Sequence, residues 1–189
     1  YHTTIRTDSQ PITKRPIEFR TGTGIATGEQ FLARNLNDYD AIFFFGVREI
    51  EITDQQKADL MSFVRDDGKG FVAAHSGATA FFSWPEFGEM LGGRFDEHPW
   101  QIIEAPVLLE DPAFPAMRHF PMRITLRDEW YQVQANPRNQ AGLRILASLD
   151  ASSFPGGAVT GDHPVSWYRG FEGGRSWVTL VGHDLSAFS

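Results

Sequence analysis

Between Ala41 and Ala74 the chain reads as strand, helix, strand, and no other feature constrains its fold as much. Ala41 to Val47 is a continuous apolar run of strand length, the pattern of a strand covered on both faces. Thr53 with Gln56 three residues on makes a capping box, and Ala58, Leu60, Met61 and Val64 then recur at helical spacing. Asp66-Asp67-Gly68 ends the helix, and Gly70 to Ala74 is a second short buried strand. Strands joined through a helix lie parallel in one sheet with a right-handed crossover, so the sequence predicts an α/β domain with a mostly parallel sheet.

The flanking segments extend that sheet. Ile102 to Leu109, Met122 to Leu126 and Leu143 to Leu149 read as strands, and a short helix is expected from Pro85 to Leu91, before the break at Gly92-Gly93. Pro164 to Arg169 and Arg175 to Val181 enclose a Gly-rich turn, the arrangement of a C-terminal antiparallel hairpin. Residues 1–38 are polar and poorly periodic. Only Ile17-Glu18-Phe19 looks strand-like there, and Thr21-Gly22-Thr23-Gly24 looks like a loop without the Gly-Lys-Ser/Thr of a phosphate-binding motif. An α/β domain usually opens on an apolar strand, and its absence suggests that the natural start lies ahead of Tyr1 or that an internal stretch is missing. No repeat or linker divides the chain, so residues 1–189 are read as a single domain.

Composition excludes several classes of function. A formal net charge of -7, with scattered arginines and no basic stripe, argues against nucleic acid as a partner. No apolar run reaches the length of a membrane span. The absence of Cys removes disulfides, thiolate metal sites and cysteine nucleophiles together. It leaves the compartment open between cytoplasm and periplasm, and self-association into a homo-oligomer is equally open.

Ligands of open α/β sheets bind beyond the carboxyl ends of the parallel strands. His75 follows the Gly70 to Ala74 strand within a turn of small residues, and His183 follows the last strand of the hairpin. Glu129 comes just after a strand, and His98 lies in a Gly- and Pro-marked loop. Imidazoles in such places serve as acids, bases or metal ligands near neutral pH. Each also has a plainer reading. A histidine after a strand is often only hydrogen-bonded scaffold, His98 can open a turn fixed by Pro99, and Glu129 can be a solvated carboxylate. His2, His119 and His163 read as terminal, structural or solvated. Trp130 and Tyr131 read as core or as pocket wall, where an aromatic ring can stack on a sugar face. Ser76 carries a rival reading: Ala74-His75-Ser76-Gly77-Ala78 loosely resembles a nucleophile elbow, and the order Ser76, Asp128 or Glu129, His183 is that of an α/β-hydrolase triad. Both outer glycines of that motif are alanine here.

From residue 39 to 183 the chain resembles the ThuA-like, or trehalose-utilisation, family. The resemblance rests on "DYDAIFFF", "TDQQKADLMSFVRDDGKGFVAAHSG", "FFSWPEFGEMLGGRFDEHP", "DEWY", "DHPVSWYRGFEGGRSW" and "LVGH", taken in order. It implies a flavodoxin-like three-layer sandwich similar to class I glutamine amidotransferases. In those enzymes the turn after the central strand holds the nucleophilic cysteine; by resemblance His75 stands there instead, and His183 matches the histidine of the late strand end. Glutaminase chemistry is excluded, since imidazole cannot carry the acyl-thioester step.

The family association implies a small-molecule carbohydrate, a disaccharide or keto-sugar derivative, as substrate. The expectation is an isomerase, lyase or hydrolase in which His75, His183 and Glu129 perform acid–base catalysis, with His98, Ser76, Trp130 and Tyr131 as binding residues. A divalent ion such as zinc or manganese, held by His75, His98 and His183 beside Glu129, would polarise a substrate carbonyl. The alternatives are a non-catalytic carbohydrate-binding domain and a serine hydrolase using Ser76.

Overall fold

The structure, a computed structural model, describes residues 2–17, 34–45, 48–153 and 161–188. Its elements in chain order are β1 (Ala41–Phe45), α1 (Asp54–Arg65), β2 (Gly70–Ala74), α2 (Pro85–Leu91), β3 (Ile103–Leu109), β4 (Arg123–Asp128), β5 (Leu143–Leu149), β6 (Pro164–Phe171) and β7 (Gly174–Thr179). The seven strands form one sheet in the order β1-β2-β7-β6-β5-β3-β4. The segments Glu18-Phe19 and Thr21 to Gly24, together with Gly46-Val47 at the end of the first apolar run, lie outside the described residues.

The strand–helix–strand unit forms as its sequence requires. Thr53 caps α1 with the reciprocal Gln56 contacts of a capping box, and β1 pairs parallel with β2 from Ala41↔Gly70 to Phe45↔Ala74. β2 pairs parallel with β7, and every other junction is antiparallel. The sheet is therefore mixed, not mostly parallel. The reason lies in the connections. A parallel pair needs a crossover long enough to return the chain to the same edge, usually a helix. After α2 the described segments between strands contain only short turns of helix, so each strand from β3 onward folds back on a neighbour.

A second helical layer, as a three-layer sandwich needs, is not found among the described residues. Leu60, Met61, Phe63 and Val64 of α1 and Phe87, Met90 and Leu91 of α2 pack into one cluster with Phe71, Trp167 and Val178. Both helices thus cover the same face. The other face carries a separate cluster of Val107, Leu109, Met117, Trp130, Leu146, Leu149 and Val165, with no α-helix among the described residues over it. The C-terminus of α2 is fixed to the sheet by its own orphan carbonyls. Ser176 Oγ donates to Met90 O at 2.5 Å, Trp167 Nε1 to Leu91 O at 2.8 Å and Gln140 Nε2 to Gly92 O at 2.6 Å.

β1 is the outer strand of the parallel side, not a strand covered on both faces. Phe44 packs against Phe71 and Phe81, whereas Phe43 is 64% exposed and Phe45 is 46% exposed. Immediately after β2 the chain turns tightly through residues His75–Thr79, a turn pressed onto β1. A Cβ on Gly77 would lie 2.4 Å from the Phe44 carbonyl oxygen, so only glycine allows this approach. We expect Gly77→Ala to force the turn off β1 at a cost of about 1–3 kcal/mol. Urea unfolding should show a lower midpoint with an unchanged slope; an unchanged midpoint would contradict the close packing assigned to the turn.

Candidate functional site

Parallel pairing of β2 with β7 brings their carboxyl ends to one edge, and the two histidines that follow them meet there. His75 is buried, with its backbone in the left-handed region at φ 45, a conformation that a non-glycine residue adopts only when its surroundings impose it. Its Nδ1 lies 2.8 Å from Leu180 O. A carbonyl only accepts, so Nδ1 carries the proton and the neutral ring turns a bare Nε2 toward the site. That Nε2 is 3.2 Å from His183 Nδ1 and 3.3 Å from Glu129 Oε2. His183 Nδ1 is in turn 3.1 Å from the same carboxylate oxygen. The other oxygen, Oε1, is 3.2 Å from His98 Nδ1. Glu129 therefore stands at the centre of three imidazoles.

Each of these groups is delivered by a separate piece of backbone. The loop carrying His98 runs beside residues 131–134, with Asp96 N donating to Gln132 O, Gln132 N to Glu97 O and an isolated bridge between Phe95 and Val133. His183 is placed by Asp128, the fully buried last residue of β4. The Asp128 carboxylate accepts the backbone N–H of Gly182 at 2.7 Å, His183 at 2.9 Å, Asp184 at 3.1 Å and its own neighbour Glu129 at 2.8 Å. Gly182, at φ 139, supplies the backbone freedom that the turn needs.

Tyr131 stacks on His75 with ring centroids 4.1 Å apart. Burial, reinforced by the charge of Glu129 and a hydrogen bond to it, pushes the Tyr131 hydroxyl far above the ordinary phenol range, so it stays a proton donor. Burial also lowers the pKa of His75, opposed by the Leu180 carbonyl and by Asp128 and Glu129, and so favours the neutral ring. His163 donates from Nε2 to Tyr131 O at 3.0 Å and fixes the Tyr131 backbone from behind.

Together these groups floor a cavity of about 630 Å³, whose walls include Arg48, Thr79, Phe82 and Phe95. Of the residues expected from sequence, His75, Ser76, His98, Glu129, Tyr131 and His183 all line it. Trp130 does not: it is fully buried in the second core cluster and donates to Ile103 O at 3.1 Å. Ser76 reaches the cavity, but among the described residues no hydrogen bond joins its hydroxyl to an imidazole. His2 and His119 are exposed and take no part in the cluster. Asp128 had entered only as a triad alternative to Glu129. Its real signal was a carboxylate ending a strand ahead of a Gly-His-Asp turn that would need an anchor. Arg48, Thr79 and Phe82 had no sequence pattern to mark them.

The fold is that of an α/β domain with a mixed sheet, and its His- and Glu-lined cavity lies at the carboxyl ends of the parallel strands. More narrowly, the chain belongs to the ThuA family, described as trehalose utilisation, whose family model matches residues 9–189. No curated protein matches this sequence. Among solved structures, a ThuA-like protein of Bacteroides uniformis is 23% identical with a TM-score of 0.68, the match covering 81% of this chain and 64% of that one. A ThuA-like protein of Parabacteroides merdae is 18% identical with a TM-score of 0.65, covering 79% and 62%. A β-galactosidase of Bacillus circulans is 14% identical with a TM-score of 0.54, covering 82% of this chain and 22% of the enzyme. At these identities the likeness is one of fold. The chain spans a little under two thirds of the ThuA-like proteins it matches.

Two outcomes follow from the groups that hold the site together. Asp128→Ala would leave four backbone N–H groups without their acceptor. Buried orphans cost about 1–3 kcal/mol each, so we expect at least about 3 kcal/mol of destabilisation in urea and faster amide exchange at His183. For His163, burial lowers the pKa and the Tyr131 carbonyl and Asp162 only partly oppose it. The unfolded chain then binds the extra proton more readily than the folded one. Stability is therefore full above the unfolded pKa and falls as pH drops through about 6.5. His163→Gln keeps a donor for Tyr131 O but cannot titrate, so its stability should fall less steeply than wild type between neutral and mildly acidic pH. Parallel slopes would remove His163 from this account.

Proposed function

We propose that the chain is an enzyme acting on a keto-sugar or related disaccharide derivative through proton transfer by His75, Glu129 and His183. One observation carries the reading: a buried neutral imidazole, a carboxylate and a second imidazole converge within 3.3 Å on the floor of a cavity large enough for a sugar. The trehalose-utilisation description of the family supports a carbohydrate substrate. Phe82, 43% exposed, offers a ring face on which a pyranose can stack, in the part that the sequence assigns to Trp130 and Tyr131.

A carbon next to a ketone bears an acidic proton. Glu129 or the bare Nε2 of His75 takes that proton, and the electron pair left behind forms a double bond to the carbonyl carbon, giving an enolate with its charge on the former carbonyl oxygen. When the neighbouring hydroxyl passes its proton to the enolate oxygen and the base returns its proton to the former carbonyl carbon, the isomeric keto-sugar results. Alternatively the pair expels a glycosidic oxygen from the adjacent carbon, and that oxygen takes a proton relayed through His183, which replaces the one removed from carbon. Proton transfer of this kind is worth about 10²–10⁴ in rate.

The direct test is turnover of keto-disaccharides by wild type and variants. Glu129→Gln should lower kcat/KM by at least about 10²-fold. Ser76→Ala should retain most activity. Loss of activity on Ser76 substitution, together with labelling of Ser76 by a fluorophosphonate, would replace the acid–base reading with a serine hydrolase.

A further inference from the structure

Three ligand-type atoms in the site form a nearly equilateral triangle. His75 Nε2 to His183 Nδ1 is 3.2 Å, His75 Nε2 to Glu129 Oε2 is 3.3 Å, and His183 Nδ1 to Glu129 Oε2 is 3.1 Å. We propose that this triangle is one face of a divalent transition-metal site, with His75, His183 and Glu129 as its protein ligands and the cavity at its open side. The assignment rests on the reading of this cluster as a working site; with an ion bound, His75 Nε2 and His183 Nδ1 are ligands and no longer carry protons.

The geometry is that of coordination. Zinc holds nitrogen and carboxylate oxygen at about 2.0–2.1 Å, which puts neighbouring ligand atoms of a tetrahedron about 3.3 Å apart. The triangle has edges of that length on all sides. Hydrogen bonding alone accounts for it poorly. His75 uses its one neutral-state proton on Leu180 O, so its Nε2 lone pair faces a carboxylate oxygen and another ring nitrogen. One proton on His183 Nδ1 cannot satisfy both acceptors well. A cation at the centre satisfies all three atoms at once.

The supporting contacts are also those of a metal site. Ligating histidines usually donate their second ring nitrogen to a carbonyl or carboxylate, which fixes tautomer and orientation. His75 does so to Leu180 O. Glu129 keeps its second oxygen on His98 Nδ1, and the turn bearing His183 is held by Asp128. His98 is thereby assigned to orient the carboxylate and is not a ligand, since the group of atoms close enough to share an ion is His75, Glu129 and His183. Two nitrogens and one oxygen suit zinc, manganese or iron better than magnesium, which takes oxygen ligands and keeps its waters. The remaining positions open on the cavity, where the carbonyl and adjacent hydroxyl oxygens of a keto-sugar are a suitable pair of donors.

The test uses the chain purified without a histidine tag, stripped with chelator and dialysed against zinc chloride. Elemental analysis should find one zinc per chain, and cobalt in its place should give an absorption band from a low-coordinate site. Glu129→Gln and His183→Ala should each weaken zinc binding at least about 10-fold in competition with a chromophoric chelator, while His98→Ala keeps one ion. Far-ultraviolet circular dichroism of each variant separates loss of ligand from loss of fold. Folded wild type with no stoichiometric zinc, or Glu129→Gln binding as tightly as wild type, overturns the site. Keto-disaccharide turnover that survives chelation also overturns it, while leaving the acid–base reading standing. One bound zinc without turnover supports the site and sinks the substrate assignment.

Discussion

The site depends on one buried carboxylate. Asp128 sits where the antiparallel half of the sheet ends at β4, and it gathers the amides that follow β7 in the parallel half. A charged group this deep persists only when its oxygens are fully engaged, and here backbone N–H groups engage them. The same contacts aim His183 at His75 and hold Glu129 one residue away. Scaffold and chemistry thus share adjacent residues: one carboxylate spends its charge on the backbone, the next presents its charge to the cavity.

The surroundings divide the labour in a similar way. His75, Tyr131 and His163 form a column in which a ring stack and two hydrogen bonds to backbone carbonyls fix each group without using the atoms that face the cavity. Burial favours the neutral form in both histidines and keeps the phenol protonated. What faces the cavity is the Nε2 of His75, the carboxylate of Glu129 and the half-exposed ring of His183.

Local patterning made part of this legible. The capping box at Thr53 and the short run before His75 describe neighbours in sequence and appear where expected; in α1 Leu60, Met61 and Val64 are buried as the apolar period requires, whereas Ala58 is exposed and Phe63 is buried as well. The sheet's mixed character was hidden, because strand direction depends on connection length, and an apolar strand reads alike in either sense. β1 shows the same limit: AIFFF is apolar throughout, yet only alternate side chains are covered, since burial is set by neighbours and not by the strand itself. In the site, strand ends picked out His75, His183 and Glu129 but could not separate Trp130 from Tyr131. Adjacent residues point opposite ways there, one into the core and one into the cavity.

The parallel pairing of β2 with β7 has a consequence for how the molecule assembles. It joins Gly70 to Arg175, whereas β6 and β7 meet across a turn between Phe171 and Gly174. Closing the long loop costs more chain entropy than closing the short one, so the hairpin is favoured early and the β2–β7 seam late. His75 and His183 lie on the two sides of that seam. The histidine–glutamate cluster therefore needs this long-range seam closed, and a chain with the hairpin formed but the seam open would lack it.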